Sequence, residues 1–176
     1  ASSLREHGTT MSAAARHTAG TVRLEQYAEV GFNYRMTDIQ AAVGLVQLGR
    51  LDEVIATRRG LADRYREALA PHGIRVAFDP EWGTTNHQSL WVRFPPTSTR
   101  DREEILAALA ADGISARRGI MAAHLEPAYA GTPHAPLPVT EDLTSNTVIL
   151  PLHHHLSPED QRRVVDSLAA MMEVAA

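Results

Sequence analysis

From Thr37 onward the apolar residues recur at helical spacing. Ile39, Val43, Val46, Leu48, Leu51, Ile55, Leu61, Tyr65 and Leu69 follow one another mostly at three- or four-residue steps. Such a stripe marks an amphipathic helix. Thr37 is a suitable N-cap, and Gln40 three residues on completes a capping box. Pro71 and Gly73 stop the pattern. The run Asp38–Ala70 predicts one helix about 50 Å long at about 1.5 Å per residue, with Gly44 and Gly60 as candidate kinks.

Beyond Gly73 the period shortens. Ile74–Phe78 and Ser89–Phe94 read as strands separated by a loop with Asp79, Pro80 and Gly83. Thr99 can cap a helix over Arg100–Ala111, which Gly113 ends. Ile114–Arg117 is a third strand candidate. Residues 119–142, rich in Pro, Gly and His, read as loop with a helical turn near Pro127–Ala130. Leu143–Asn146 reads as helical, continuing into Val148–Pro151. Ser157, Pro158, Glu159 and Asp160 open a last helix running to about Val174: a cap, a proline at the first position and acids in the first turn. Before Thr37 the chain is small, polar and aperiodic. Ser2–Glu6 could carry a short helical end, and Tyr27–Phe32 a short strand. The order predicts an α+β fold, with helices on one face of a short antiparallel or mixed sheet. Three strands make a thin sheet, so part of the long helix's stripe should face something outside it.

Composition narrows the function classes. The 176 residues carry a net charge of -4, which disfavours nucleic acid as a partner. No apolar run reaches the roughly 18 residues that cross a bilayer, and nothing at the start resembles a signal peptide. A cytoplasmic location is the expectation. There is no cysteine, hence no disulfide or thiolate chemistry. All 17 basic residues are arginine, so this chain cannot itself form a lysine Schiff base. The start Ala1-Ser2-Ser3-Leu4-Arg5, without an initiator Met, reads as a chain beginning inside a longer gene product.

Few motifs carry chemistry unaided. Asn33, Tyr34 and Arg35 precede the Thr37 cap, where amide donors and a guanidinium can receive an anion such as phosphate. His124 lies in a loop with Arg117, Arg118 and Glu126. His153-His154-His155 suits a metal poorly, because neighbouring strand residues point to opposite faces; a strand end with a solvated turn is the better reading, and no metal site is expected. No Walker loop, GxGxxG pattern or Ser-His-Asp set is present.

Longer motifs carry a family resemblance. Gly31-Phe32-Asn33-Tyr34-Arg35-Met36-Thr37-Asp38-Ile39-Gln40-Ala41-Ala42-Val43-Gly44 resembles the G-[YF]-N-Y-R-[ML]-[TS]-[DE]-[IL]-Q-A-A-[LIV]-G segment of the DegT/DnrJ/EryC1/StrS aminotransferases. Leu4-Arg5-Glu6-His7-Gly8 resembles the L-R-x-H-G before it. Gln88-Ser89-Leu90-Trp91-Val92, then Gly113-Ile114 with His124, Pro127 and Tyr129, and Leu150-Pro151-Leu152 with Leu156-Ser157-Pro158-Glu159-Asp160-Gln161, resemble later family segments in the right order.

The resemblance implies the C-terminal part of a fold-type-I pyridoxal-phosphate (PLP) enzyme. Residues 1–36 would be the tail of its large domain and an interface loop, 37–70 a bridging helix, and 71–176 a small α+β domain. It implies a homodimer with shared active sites that moves an amino group from an amino acid to a nucleotide-linked keto sugar. Asn33 would bind the cofactor phosphate and Arg35 either that phosphate or the sugar nucleotide, while Tyr34 would line the substrate site and His124 would meet substrate. The Schiff-base lysine would lie upstream of Ala1, so these 176 residues alone should be inactive. Alternatives are a sibling sugar dehydratase and a non-catalytic dimerisation or regulatory remnant.

Overall fold

The computed structural model describes residues 3–12, 15, 18–20, 24 and 26–173, and the chain divides into two units, Ala1–Leu51 and Asp52–Ala176. Ser2 and Val174, which the sequence reading included in helices, lie outside the described residues.

In the first unit, residues 3–5 form a turn rather than a helical end, and Glu6 and Thr9 make isolated antiparallel bridges to Asn33 and Tyr27. Helix α1, Asp38–Gly49, starts at the capping box: the Thr37 hydroxyl accepts from the Gln40 N–H at 3.2 Å, and the Gln40 side chain accepts from the Thr37 N–H at 2.9 Å. None of the α1 residues is buried.

The anticipated single helix is two. Helix α2 runs Leu51–Leu69, and Arg50 between them is the C-cap of α1 at φ −102°, ψ 0°, its N–H donating to Gln47 O at 3.1 Å. The break falls at neither Gly44 nor Gly60. Gly49 weakens the end of α1, while Asp52 and Glu53 sit in the first turn of α2, where the helix dipole favours acids.

The second unit holds the core. Its antiparallel sheet comprises β1 (Arg75–Val76), β2 (Leu90–Arg93), β3 (Arg117–Arg118) and β4 (Thr147–Leu150), in the order β1-β2-β4-β3. Strand β4 corrects the sequence reading, which continued a helix into this stretch. Helix α4, Pro138–Asn146, starts earlier than anticipated with proline in its first turn and ends where Thr147-Val148-Ile149-Leu150 begins. Branched residues of that kind favour the pleated backbone, and here they pair with Leu90–Arg93 in the middle of the sheet.

One face of the sheet, Leu90, Val92, Val148 and Leu150, packs with Ala62, Tyr65 and Leu69 of α2, Ile105 and Leu109 of α3 (Arg102–Ala111), and Val164, Leu168 and Met171 of α5 (Pro158–Glu173). Helix α3 is capped by Asp101 with Glu104, not by Thr99. Ser157 opens α5 by accepting from Asp160 N–H at 3.0 Å. Tyr65, fully buried, donates its hydroxyl to Pro151 O at 3.1 Å, and burial pushes that phenol well above its usual range.

The opposite face is not bare. Arg93 pairs with Asp142 of α4 at 2.7 Å, and Trp91 lines a cavity of about 130 Å³ with Ile120, Leu143 and Thr147. Helices therefore flank both faces, where one was anticipated. After β4 the chain turns at His154-His155, whose rings lie 4.0 Å apart. Among the described residues, no helix is long and apolar enough to cross a membrane.

Candidate cofactor and substrate sites

Two motifs that the sequence presents separately fold against each other in the first unit. Phe32 N–H donates to Leu4 O at 2.7 Å, Tyr34 N–H to Arg5 O at 2.9 Å, and His7 N–H to Phe32 O at 3.1 Å. The close approach requires glycine on both sides. A Cβ on Gly8, whose φ is +74°, would stand 1.9 Å from Glu29 O, and one on Gly31 would stand 2.2 Å from Gly8 N. Both distances are far inside van der Waals contact. The two glycines were visible in the sequence, but their mutual contact was not.

This pairing presents Asn33, Tyr34 and Arg35 on an exposed loop just before α1. The Asn33 side-chain oxygen accepts from the Arg35 backbone N–H at 3.4 Å and from Arg35 Nε at 3.5 Å. With its oxygen so engaged, Asn33 keeps its Nδ2 hydrogens without an acceptor among the described residues. Among the described residues Arg35 forms no ion pair. An amide donor and a guanidinium thus stand together, a donor set that suits a phosphate dianion. The Tyr34 ring stacks on Phe32 at 5.3 Å.

His124, in the second unit, is held differently. It lies in a 3₁₀ turn, Ala123–Leu125, and its side chain is only 8% exposed. Its Nε2 lies 3.2 Å from Glu141 Oε1, and the His134 ring sits 4.6 Å away, tilted by 52°. The Arg118 guanidinium pairs with Glu126 at 3.2 Å instead of with the histidine. Sequence reasoning missed Glu141 and His134. The one available signal was an acid in the first turn of a helix opened by Pro138.

Among the described residues, no group of three His, Asp or Glu side chains could hold a metal. His87 is a buried histidine elsewhere in the second unit. It is 4% exposed with φ at +49°, and burial pushes its pKa down, with Asp79 opposing and Arg66 assisting.

The sequence pattern of the DegT/DnrJ/EryC1/StrS aminotransferase family matches residues 1–169, nearly the whole chain. The chain belongs to this family. GDP-perosamine synthase of Caulobacter vibrioides is 37% identical over 142 residues, which cover 79% of this chain and 38% of that protein. Among solved structures, Spr1654 of Streptococcus pneumoniae in its PMP form superposes with a TM-score of 0.86 at 27% identity, covering 99% of this chain and 44% of that one. DesI, solved in the presence of its TDP-sugar product, gives 0.78 at 32% identity over 97% of this chain and 41% of its own. The chain therefore spans about two-fifths of the length of these DegT/DnrJ/EryC1/StrS relatives. The paired L-R-x-H-G and G-F-N-Y-R segments and the small antiparallel sheet both fall within the matched residues.

Proposed function

We propose that this chain is the C-terminal part of a PLP-dependent sugar aminotransferase that transfers an amino group from an amino acid to a keto sugar carried on a nucleotide. The observation that carries this reading is the Asn33–Arg35 donor pair, locked by the Gly8–Gly31 contact, in a chain of this family. The exposed Arg35 guanidinium, which forms no ion pair among the described residues, and the Asn33 Nδ2 hydrogens fit the phosphate of the cofactor. When bound, PLP supplies the electron sink that amino transfer needs.

The residues of this chain then act by binding and orienting. Asn33 Nδ2 and the Arg35 guanidinium hold the phosphate, and Tyr34 walls the sugar side. His124 receives a sugar hydroxyl. With no lysine among its residues, the chain leaves the Schiff-base amine to the rest of a longer enzyme. The 176 residues by themselves are therefore inactive.

The exposed stripe of α1, with Ile39, Val43 and Val46, suits a homodimer in which Asn33 and Arg35 reach the neighbouring subunit's cofactor. Contiguous apolar surface of this kind marks an interface. The enzyme would work in the cytoplasm.

The test is an amino-transfer assay. The enzyme containing this chain, given PLP, glutamate and a panel of nucleotide-linked keto sugars, should yield an amino sugar detected by mass spectrometry, and the 176-residue chain alone should yield none. Turnover by the chain alone would overturn the division of labour. A dehydrated sugar in place of an aminated one would assign the sibling dehydratase chemistry.

A further inference from the structure

We infer that Glu141 is a positioning residue for substrate recognition: it fixes His124 with its hydrogen on Nε2, so that Nδ1 is the acceptor the ring offers. The inference rests on the reading that His124 contacts the sugar, and it names the residue that decides how. A neutral imidazole carries one hydrogen, and the partner of one nitrogen sets the role of the other. A carboxylate oxygen only accepts, so the contact of 3.2 Å from Glu141 Oε1 keeps the hydrogen on Nε2. In the neutral ring, the same contact makes Nδ1 the lone-pair nitrogen.

The surrounding structure holds both partners still. Glu141 sits in the first turn of α4, where its N–H donates to Leu137 O at 3.0 Å and begins the helical ladder. The loop that carries His124 is tied to the same helix and the next strand. Thr144 Oγ1 donates to Ile120 O at 3.2 Å, and Gly119 N–H donates to Thr147 O at 3.0 Å. Arg102 Nη1 in turn donates to Thr144 O, securing α4 from the side of α3. The His134 ring packs on His124, and its own Nδ1 is occupied by Ala135 O at 2.9 Å. That leaves Glu141 as the hydrogen-bond partner that orients the His124 ring. A ring that is 8% exposed, and held at one nitrogen, meets a ligand in one orientation.

The chemistry follows from that orientation. A ring presenting Nδ1 accepts an O–H from the sugar and disfavours a substrate that offers only an acceptor there. Loss of Glu141 would let the ring carry its hydrogen on either nitrogen, which lowers the share of the competent form.

Imidazole ¹⁵N spectra of the holoenzyme labelled with ¹⁵N-histidine, with the His124 signals assigned through His124→Ala, read the tautomer directly. The wild type should show the hydrogen on Nε2, and Glu141→Ala a mixture. For the same Glu141→Ala enzyme, KM for the sugar should rise about tenfold with kcat changed by less than about twofold, as expected for loss of one orienting hydrogen bond. Glu141→Gln, whose side-chain oxygen still accepts, should keep the wild-type tautomer and stay within about threefold in KM. A wild-type hydrogen on Nδ1, or an unchanged tautomer in Glu141→Ala, would overturn the inference. If His124→Ala leaves the sugar KM unchanged while Glu141→Ala still shifts the tautomer, the substrate contact fails and Glu141's part in recognition fails with it. The fixation of the ring would survive.

Discussion

Helices α1 and α2 carry the same stripe of apolar residues at the same spacing, yet they meet opposite fates. In α1, Ile39 and Val43 are 80% and 59% exposed, and no residue is buried. In α2, Leu61, Ala62, Tyr65 and Leu69 are all buried in the core of the second unit. Periodicity establishes that a helix has an apolar face, but it does not say what covers that face. The contrast separates two kinds of role. The second unit brings its own core, whereas the first presents an exposed apolar helix that follows the exposed loop of Asn33, Tyr34 and Arg35.

Deep truncation in the core should have the largest effect. Leu168→Ala, at a fully buried position, should cost about 2–5 kcal/mol in denaturant unfolding. In the monomeric 176-residue chain, the matching change Val43→Ala in α1 should cost under about 0.5 kcal/mol in the same experiment. A large loss from Val43→Ala would show that α1 is already covered within the protein as measured, and the contrast would collapse.

The loop beside α1 comes next. Gly31→Ala places a Cβ 2.2 Å from the Gly8 backbone, and the strain of accommodating it is about 1–3 kcal/mol. Because the collision is at the Leu4–Gly8 pairing, the PLP affinity of the holoenzyme should fall while the unfolding midpoint of the second unit stays put. Fluorescence titration with PLP and thermal melting separate the two effects.

Smaller changes sharpen the account of the core. Tyr65→Phe removes one buried hydrogen bond and should cost about 1 kcal/mol. The sign of its pH dependence is also fixed. Burial raises the folded phenol's pKa, so its stability contribution is complete below the unfolded value near about pH 10 and is lost as pH rises beyond it. The Tyr65→Phe protein should lose less stability on the alkaline side than the wild type. His87 works in the other direction. Its folded pKa is depressed by burial, so stability should fall as pH drops below about 6.5, where the unfolded histidine takes up a proton first. His87→Asn should flatten that acid limb, since asparagine tolerates the left-handed backbone found there.

Much of this was legible from residue pattern alone. The Thr37–Gln40 capping box, the Ser157–Asp160 helix start and the two strands around Arg75 and Leu90 have local causes, and local causes can be read locally. What escaped reading depends on contacts far apart in the chain. Thr147–Leu150 is a strand because Leu90–Arg93 pairs with it; next to Leu143–Asn146 it passed as more helix. The break at Arg50 had a local signal in Gly49, Asp52 and Glu53, but the unbroken apolar stripe masked it. At the sites, Asn33, Tyr34, Arg35 and His124 came from family motifs. Glu141 and His134 were missed because they reach His124 only through the fold of 117–146; the acid in the first turn after Pro138 marked a helix start, not a partner for His124.

The central claim is that Asn33 and Arg35 hold the cofactor phosphate, and PLP dissociation from the holoenzyme tests it most directly. A hydrogen bond to a charged group contributes about 1.5–3 kcal/mol, so Asn33→Ala and Arg35→Ala should each weaken PLP binding by roughly ten- to a hundredfold, with unfolding of the second unit unaffected. Wild-type PLP affinity in both variants would contradict the claim and move the phosphate site elsewhere.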